Sequence, residues 1–290
     1  MTIKNIAHSR KAKLLLLSEK DNKKYQQMLV RYFNERFLAR LSKSSYRSSF
    51  ILKGGSLLFA YEEFTPRPTL DIDFMGNRIN NDAQIIKNAF VEIINTSVPE
   101  DGVQFHPETI KSEPITVEKK YPGTRITFDV SLDSIRKTLT MDVGFGDVIT
   151  PHPVEMDYPV IFEESEEINL VAYSLETVVA EKFQTMIDRS VTNSRMKDFF
   201  DLYRILSVHQ FDTEILQEAI NATFANRNTV YSPDHSLFGE DFKQDRGMTT
   251  QWNNYLKKMK LPQDKSFAEI VDFITEKLRP YWEKLPTAGK

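Results

Sequence analysis

The spacing of apolar residues changes near residue 166, and this change divides the chain of 290 residues into two halves of different kinds. Before that point, several short segments alternate between apolar and polar residues, which is the pattern of half-buried β-strands. After it, apolar residues recur every three or four positions, as they do in amphipathic helices. We therefore expect an α/β domain over residues 1–165 and a helical domain over residues 166–290.

The composition excludes several classes of protein. Cysteine is absent, which rules out a disulfide scaffold, a thiolate zinc site, an iron–sulfur cluster and a cysteine nucleophile. No apolar run approaches the roughly 20 residues that a membrane-spanning helix needs. The N-terminal residues also lack the apolar core of a secretory signal. A cytoplasmic protein without a membrane partner is therefore expected.

Positive charge is concentrated at the N-terminal end of the chain. Residues 1–53 contain 13 Lys and Arg residues against three acidic ones, although the net charge of the whole chain is −3. Residues 22–42 place apolar residues at helical spacing with Lys and Arg between them, which predicts a basic amphipathic helix. Such a helix suits contact with nucleic-acid phosphates, although a solvated surface helix has the same pattern.

Two aspartates, Asp71 and Asp73, lie two positions apart in an alternating stretch that predicts a strand over residues 69–74. Side chains at this spacing project from the same face of a strand, with their Cα atoms about 6–7 Å apart. Two such carboxylates repel each other unless a cation lies between them, and Mg²⁺ prefers carboxylate oxygens and bridges to phosphates. The pair therefore predicts a Mg²⁺ site, and two ordinary surface aspartates are the alternative.

A glycine turn precedes this strand. Residues 50–52 have the apolar character of a buried strand, and Lys53, Gly54 and Gly55 end it, with Ser56 placed to cap the following helix. A glycine turn at a helix N-terminus presents backbone N–H groups to a phosphate, and the Ser56 hydroxyl can donate as well. The order of the two features indicates a nucleotide site, and a plain strand–helix turn is the alternative.

A third carboxylate is available from later strands. The segments 125–130 and 138–145 both alternate, and they carry Asp129 and Asp142 respectively. Asp142 is the preferred candidate because the turn at residues 144–147 suggests a strand that ends at a cleft, and Asp129 is its rival. Three aspartates on neighbouring strands would form a two-metal site for displacement at a phosphoryl centre. An ordinary surface carboxylate is the alternative for Asp142.

The other expected elements follow from the same patterns. Residues 116–120 and 125–130 are expected to form a hairpin around a turn at residues 121–124. Residues 82–97 are expected to form a helix, and residues 151–159, which contain three prolines, a connection. Helices in the second half are expected over residues 174–189 with Ser174 as the cap, 195–207, 212–226, 249–259 and 266–283.

The motifs occur in the order found in a known family. The chain resembles the nucleotidyltransferase-like toxins of the AbiEii/AbiGii type in Lys53-Gly-Gly-Ser, Arg67-Pro-Thr-Leu-Asp-Ile-Asp-Phe and Met-Asp142-Val-Gly-Phe-Gly-Asp. The resemblance covers about residues 48–260. It continues in Ala180-Glu181-Lys182, Arg195-Met-Lys-Asp198-Phe-Phe-Asp201-Leu, Ala222-Thr-Phe224, Arg227-Asn-Thr229 and Trp252.

This resemblance implies a fold like that of the DNA polymerase beta nucleotidyltransferases: an α+β mixed sheet with flanking helices, followed by a helical C-terminal domain. It also implies Mg²⁺-dependent transfer of a nucleoside monophosphate from an NTP, with two Mg²⁺ ions. Members of the family are toxins of type IV toxin–antitoxin or phage abortive-infection systems, and several modify the 3′ end of tRNA. An antitoxin encoded nearby is an expected partner.

The resemblance also implies roles for particular residues. Lys53, Gly54, Gly55 and Ser56 would bind the nucleotide, Asp71 and Asp73 would bind metal with Asp142 as the third carboxylate, and Lys182 and Asp198 would be needed for activity. Antiparallel packing of two helices could bring Lys182 and Asp198 to one cleft, with Asp201 in support, and a structural salt bridge is the alternative.

The resulting hypothesis is attack of an acceptor 3′-hydroxyl on the α-phosphorus of an NTP. Pyrophosphate would leave, stabilised by Mg²⁺, Ser56 and Lys182. The basic face of residues 10–53, joined by Arg189 and Arg195, would guide tRNA. Three alternatives remain open: nucleotidylation of a protein hydroxyl, a non-catalytic nucleotide- or RNA-binding module, and a housekeeping transferase without an antitoxin.

Overall fold

The computed structural model describes residues 5–61, 71–115, 123–190 and 195–286. Its contacts divide the chain into two compact units, described separately below. The first contains residues 1–146 and 154–172, and the second contains residues 147–153 and 173–290.

The described part of the first unit contains one mixed sheet of seven strands, in the order β3-β4-β5-β2-β1-β7-β6. The pairs β2–β5 and β1–β7 are parallel, and the other neighbours are antiparallel. The expected mixed sheet with flanking helices is therefore confirmed. The strands are β1 (Phe50–Lys53), β2 (Ile72–Gly76), β3 (Val103–Ile115), β4 (Gly123–Leu132), β5 (Ile135–Gly144), β6 (Val154–Tyr158) and β7 (Ile168–Ala172).

Four helices accompany this sheet in the described residues: α1 (Ile6–Leu17), α2 (Asn22–Lys43), α3 (Gly54–Tyr61) and α4 (Ala83–Ile94). The core between helices and sheet is aromatic. Phe37 of α2 lies 5.3 Å from Phe90 of α4 and 5.7 Å from Phe128 of β4, measured between ring centroids. Phe50 and Phe74 join the same cluster from β1 and β2. Burial of the apolar surface of these large rings stabilises the packing of the helices on the sheet.

Helix α2 has the expected bounds, but it is not an amphipathic surface helix. Every residue from Tyr32 to Leu41 is buried, including two arginines. Arg36 pairs with Glu35 at 2.7 Å and with Glu166 at 2.9 Å. The expected basic outer face is therefore limited to the N-terminal end of the helix, where Lys23 and Lys24 are exposed, because the C-terminal half lies inside the unit and its charges are neutralised there.

Much of the remaining positive charge of the N-terminal segment is also paired. Arg10 and Lys13 of α1 both contact Glu164, at 2.6 and 2.5 Å. Lys11 contacts Asp133 at 2.8 Å, and Arg40 of α2 contacts Asp101 at 2.7 Å in a buried pair. The excess of positive charge that the sequence shows in residues 10–53 is thus largely matched by acidic residues of the same unit.

Two strands lie where none was expected. Residues 151–159 were predicted to be a connection, but β6 occupies Val154–Tyr158 and pairs with β7. Its flanking prolines, Pro153 and Pro159, lie outside the strand, and β6 is at the edge of the sheet, where a missing N–H group is tolerated. The sequence pattern did not predict β6 and β7 because both strands are short and depend on pairing with distant residues.

Other boundaries also differ from the expectations. The strand expected at 69–74 begins at Ile72 in the described residues, and residues 69–70 lie outside them. The first strand of the hairpin is β3, which ends at Ile115 opposite Gly123, and the predicted residues 116–122 again lie outside the described ones. Helix α3 begins at Gly54, so Ser56 lies inside its first turn and is not its cap.

The described part of the second unit is helical, as expected. Its helices are α5 (Leu175–Arg189), α6 (Met196–Val208), α7 (Thr213–Asn226), α8 (Glu240–Lys243), α9 (Arg246–Met259) and α10 (Phe267–Trp282), with a 3₁₀ turn at Ser236–Phe238. Ser174 accepts a hydrogen bond from the Thr177 N–H and caps α5 as predicted. None of the helices in the described residues has the length and apolar character needed to cross a membrane.

Candidate active site

Five charged residues form one row across five strands of the sheet. Lys53 lies opposite Asp73, and Asp73 lies opposite Asp142 on the neighbouring parallel strand. Asp142 lies opposite Arg125, and Arg125 lies opposite Glu113. Residues directly opposite each other share a face of a sheet, so these five side chains emerge from the same side. The sheet therefore brings together three of the predicted site residues: Lys53, Asp73 and Asp142.

The glycine turn lies directly against one of the carboxylates. Gly54 has φ +69°, a left-handed conformation that residues with a side chain rarely adopt. A Cβ atom built on Gly54 would also lie 2.8 Å from Cγ and 2.9 Å from Cβ of Asp73, which is too close for any side chain. The predicted nucleotide turn and the predicted metal-binding strand are therefore in contact at this point.

Ser56 connects the turn to the other carboxylate. Its side chain is buried, and its hydroxyl donates a hydrogen bond of 2.9 Å to the backbone carbonyl of Asp71. Asp71 itself is exposed and lies immediately before β2, while Asp73 is half-buried within it. The observed contact gives Ser56 a role in holding Asp71 beside α3, whereas the sequence pattern suggested a helix cap.

Asp142 is held by an arginine that the sequence analysis did not single out. Arg125 Nε donates to Asp142 Oδ1 and Arg125 Nη2 donates to Asp142 Oδ2, both at 2.8 Å. This hydrogen-bonded carboxylate raises the pKa of the Arg125 guanidinium above its ordinary value. The sequence contained one indication of this pair, because Arg125 is a basic residue in an alternating segment and the next strand carries Asp142. Within the described ranges, no three His, Asp or Glu side chains converge as metal ligands.

The rival carboxylate, Asp129, lies at a different level of the sheet. It is four residues along β4 from Arg125, a distance of about 13 Å at the usual rise of a strand. Asp129 accepts hydrogen bonds from Thr138 at 2.6 Å and from Arg136 at 3.0 Å. The hydrogen bond from Thr138 is the largest of the effects that lower the pKa of Asp129. The structure thus places Asp142, and not Asp129, beside Asp73.

A second charged cluster lies in the helical unit. Lys182 Nζ of α5 contacts Asp198 Oδ1 at 2.9 Å and Asp201 Oδ2 at 2.7 Å, both on α6. Arg195 contacts Asp198 from the other side at 3.0 Å. The expected approach of Lys182 and Asp198 is therefore present, and the carboxylates are buried, with side chains 3% exposed.

Burial and attraction act in opposite directions on this lysine. Burial alone would lower the pKa of Lys182, but the charges of Asp201 and Asp198 outweigh it, and the pKa lies above its ordinary value. For Asp198, burial would raise the pKa, and the attraction of Lys182 and Arg195 lowers it below the ordinary value. Lys182 and Asp198 are consequently both charged at neutral pH.

A further network in the same unit was missed in the sequence. Arg227 Nη2 contacts Asp147 Oδ1 and Glu181 Oε1, each at 3.0 Å, and Nη1 donates to Gln184 Oε1 at 3.0 Å. The Tyr173 hydroxyl donates to Asp147 Oδ2 at 3.2 Å. The signal was present, since Arg227 and Asp147 both belong to the quoted motifs, but their distance of 80 residues along the chain concealed the pairing.

The family model for the nucleotidyl transferase AbiEii toxin of type IV toxin–antitoxin systems matches residues 36–273. The chain belongs to the AbiEii family. The match includes the glycine turn, the charged row and the Lys182 cluster, so the family inferred from the motifs is confirmed. This AbiEii family chain is a nucleotidyltransferase by that membership, and the region before residue 36 lies outside the match.

Solved structures to which the chain is similar include JHP933 from Helicobacter pylori. It is 16% identical over 90% of this chain and 93% of that chain, with a TM-score of 0.47. A second H. pylori protein, a putative nucleotidyltransferase by its description, is 14% identical over 90% of this chain and 96% of its own chain, with a TM-score of 0.48. An antigenic nucleotidyltransferase-like protein from Paracoccidioides brasiliensis is 11% identical over 87% and 94%, with a TM-score of 0.39. No curated protein matches the chain.

Proposed function

We propose that this AbiEii family protein transfers a nucleoside monophosphate from an NTP to the 3′ end of tRNA and thereby blocks translation. The observation that carries the proposal is the contact between the glycine turn and the carboxylate strand, where Gly54 lies against Asp73. A phosphate-binding turn and a metal-binding carboxylate are the two parts that nucleotidyl transfer needs in one place.

The residues present fit a divalent metal ion. Asp71 and Asp73 are hard oxygen donors two residues apart, and Ser56 fixes the first of them through its backbone carbonyl. Because Gly54 has no side chain, the backbone of the turn lies directly against Asp73. Bound Mg²⁺ would supply Lewis-acid stabilisation of the negative charge on the reacting phosphoryl group. Asp71 and Asp73 are therefore the proposed metal-binding residues.

The turn and the first residues of α3 are the proposed site for the triphosphate. Backbone N–H groups at the start of a helix have no partner within the helix, and they favour anions. Gly54 and Gly55 let a phosphate approach that backbone closely, and Lys53 at the end of β1 adds a positive charge. In this proposal the turn binds and orients the nucleotide, and the adjacent carboxylates hold the cation.

Lys182 and Asp198 are proposed to contribute to transfer as a pair. Each contacts the other across α5 and α6, so loss of one removes a buried opposite charge from the other, although Arg195 still contacts Asp198 and Asp201 still contacts Lys182. Their role therefore includes the correct arrangement of the helices in this unit. A comparison of single and double substitutions separates this structural contribution from any direct contact with the substrate.

The proposed RNA acceptor is supported by helix α9. This helix contains no Asp or Glu, and it carries Arg246, Lys257 and Lys258, with Lys260 directly after it. All four side chains are exposed, and none has an ion-pair partner in the part of the chain that the structure describes. These cations, unlike the ion-paired Arg10, Lys11, Lys13 and Arg40 of α1 and α2, are available to phosphates.

The test is incubation of the protein with Mg²⁺, total tRNA and each α-labelled NTP in turn. The wild type should label tRNA with one NTP, and Asp73→Asn should lower the rate at least about 100-fold because the metal site is lost. Asp129→Asn is the matched control, since it removes an aspartate from the same sheet at a different level. Label on protein with none on RNA would overturn the tRNA assignment, and no transfer at all would overturn the proposed function.

A further inference from the structure

We propose that Arg125 is a phosphate-binding residue of this site and that Asp142 is the positioning residue that orients it, rather than a third ligand of Mg²⁺. The inference rests on the proposed nucleotidyl transfer, because that reaction places a triphosphate at this end of the sheet. It departs from the arrangement of three metal-binding carboxylates that the sequence motifs imply.

The geometry of the ion pair is the first argument. Arg125 presents one edge of its guanidinium, Nε and Nη2, to both oxygens of Asp142 at 2.8 Å. A bidentate pair of this kind fixes the plane of the guanidinium. The remaining N–H groups are not used by any hydrogen bond within the described residues, and the Arg125 side chain is 50% exposed. Arg125 is thus a prearranged donor for a solvent-accessible anion.

The position in the charged row is the second argument. Arg125, Asp142 and Asp73 lie directly opposite one another on three neighbouring strands, β4, β5 and β2. With strands about 4.8 Å apart, the backbone of Arg125 is about 10 Å from that of Asp73, a distance that an arginine side chain and a triphosphate together span. Asp71 is close enough that its charge also stabilises the protonated guanidinium.

The engagement of Asp142 is the third argument. Each oxygen of Asp142 already accepts a charge-assisted hydrogen bond from Arg125, so the carboxylate has fewer lone pairs for a metal ion, and its orientation is set by the guanidinium. Asp73 lies against the backbone of the glycine turn, the proposed site of the triphosphate. The two carboxylates, although they are neighbours in the sheet, are therefore suited to different partners: Asp73 to a cation and Asp142 to the guanidinium of Arg125.

The same sheet contains a matched control. Arg136 and Asp129 form an ion pair across the same two strands, β4 and β5, with side chains 56% and 26% exposed. The corresponding values for Arg125 and Asp142 are 50% and 25%. The two pairs have similar chemistry and exposure and project from the same face, but the control pair lies about 13 Å from the charged row. Only the pair beside Asp73 should affect phosphate binding.

The first experiment measures binding of inorganic tripolyphosphate to the full chain in EDTA by calorimetry. Arg125→Gln should weaken binding about tenfold, and Arg125→Lys should restore little of it because lysine lacks the planar fork. Arg136→Gln should bind as the wild type does. Equal binding by Arg125→Gln and the wild type, or no binding by the wild type at millimolar tripolyphosphate, overturns the inference.

The second experiment addresses Asp142 through Mn²⁺ binding, followed by electron paramagnetic resonance. Asp142→Asn should retain the Mn²⁺ affinity of the wild type within about twofold, whereas Asp73→Asn should lose it. Asp142→Asn alone should also change the affinity for tripolyphosphate. The same substitution added to Arg125→Gln should not change it further, because Asp142 acts through the arginine. Loss of Mn²⁺ binding in Asp142→Asn, or an effect that persists without Arg125, overturns the assignment.

The two proposals fail in different ways. Absence of labelled product with the wild type counts against nucleotidyl transfer and leaves the tripolyphosphate comparison intact. Transfer that depends on Asp73 but not on Arg125, together with loss of Mn²⁺ binding in Asp142→Asn, refutes only the inference about Arg125. Thermal unfolding of each variant confirms that the fold is retained, and Arg125→Gln alone still decides the question if Asp142→Asn does not fold.

Discussion

Gly54 and Asp73 approach each other so closely that the first can only be glycine. The Cβ of any other residue would lie 2.8 Å from Cγ of Asp73, at a position whose φ of +69° is already unfavourable for a side chain. The contact joins the start of α3, directly after β1, to the second residue of β2, and it sets the distance between the glycine turn and the carboxylate.

Gly54→Ala should therefore damage both the fold and the site. We expect the free energy of unfolding to fall by about 1–3 kcal/mol and the Mn²⁺ affinity to fall with it, because the new methyl group displaces Asp73. Gly144→Ala is the control, since the nearest atom to its new Cβ is the Phe74 carbonyl oxygen at 3.9 Å, an ordinary contact. Chemical denaturation and Mn²⁺ titration measure the two effects, and equal behaviour of both variants would contradict this account.

Ser56→Ala should loosen Asp71 without unfolding the protein. The hydrogen bond from Ser56 to the Asp71 carbonyl contributes about 1 kcal/mol, and its loss leaves the carbonyl without that donor. We expect a higher Mg²⁺ concentration for half-maximal transfer and a smaller change in the maximal rate. Ser42→Ala, which removes a hydroxyl bonded to its own helix at Ala39, should change neither quantity. A lower maximal rate at saturating Mg²⁺ would argue for a direct contact of Ser56 with the nucleotide.

Lys182→Met should destabilise the helical unit by about 3–5 kcal/mol, because two buried carboxylates lose the positive charge that lies between them and only Asp198 keeps a contact with Arg195 among the contacts described above. Chemical denaturation of Lys182→Met and of Lys182→Met/Asp198→Asn measures the effect. The double variant should recover part of the loss, since it removes one of the two carboxylates that repel each other once the lysine is gone. Equal destabilisation of the single and double variants would show that the lysine stabilises the unit by packing alone.

The same cluster predicts how stability depends on pH. The pKa of Asp198 is lowered on folding, so its contribution is complete above the ordinary value of 3.8 and is lost as the pH falls through the folded value. The pKa of Lys182 is raised, so its contribution is complete below 10.5 and is lost as the pH rises through the folded value. Denaturation from pH 3 to 11 should therefore show a stabilising contribution between these limits that Lys182→Met lacks. If the difference in the free energy of unfolding between the wild type and Lys182→Met stayed the same at pH 3 and pH 11 as at neutral pH, this prediction would be refuted.

Lys257→Gln/Lys258→Gln should weaken tRNA binding and reduce its dependence on salt. Each lost phosphate contact lowers the slope of log affinity against log salt by about one. The control is Lys20→Gln/Lys23→Gln, which makes the same change of charge at two exposed lysines of the N-terminal segment. Fluorescence anisotropy with labelled tRNA in EDTA measures both. If the control pair has the larger effect, RNA contacts the N-terminal segment rather than α9.

Elements held by local interactions were predictable from the sequence. Ser174 at the start of α5 and the apolar spacing of α6, α7 and α10 depend on residues within one or two helical turns. The alternation around Asp142 likewise placed it on a strand, and β5 confirms this. The failures were elements that depend on distant partners, such as β6 and β7, which are strands because they pair with each other and β7 pairs with β1.

The sequence by itself determined the family and the order of the glycine turn and the carboxylates, because each is a property of neighbouring residues. The tertiary structure alone decided which residues of separate strands meet. It placed Asp142 beside Asp73 and beneath Arg125, and it buried Arg36 among acidic residues. Sheet order and burial depend on contacts between residues far apart in the chain, and no local pattern records whether a charge faces water or an opposite charge.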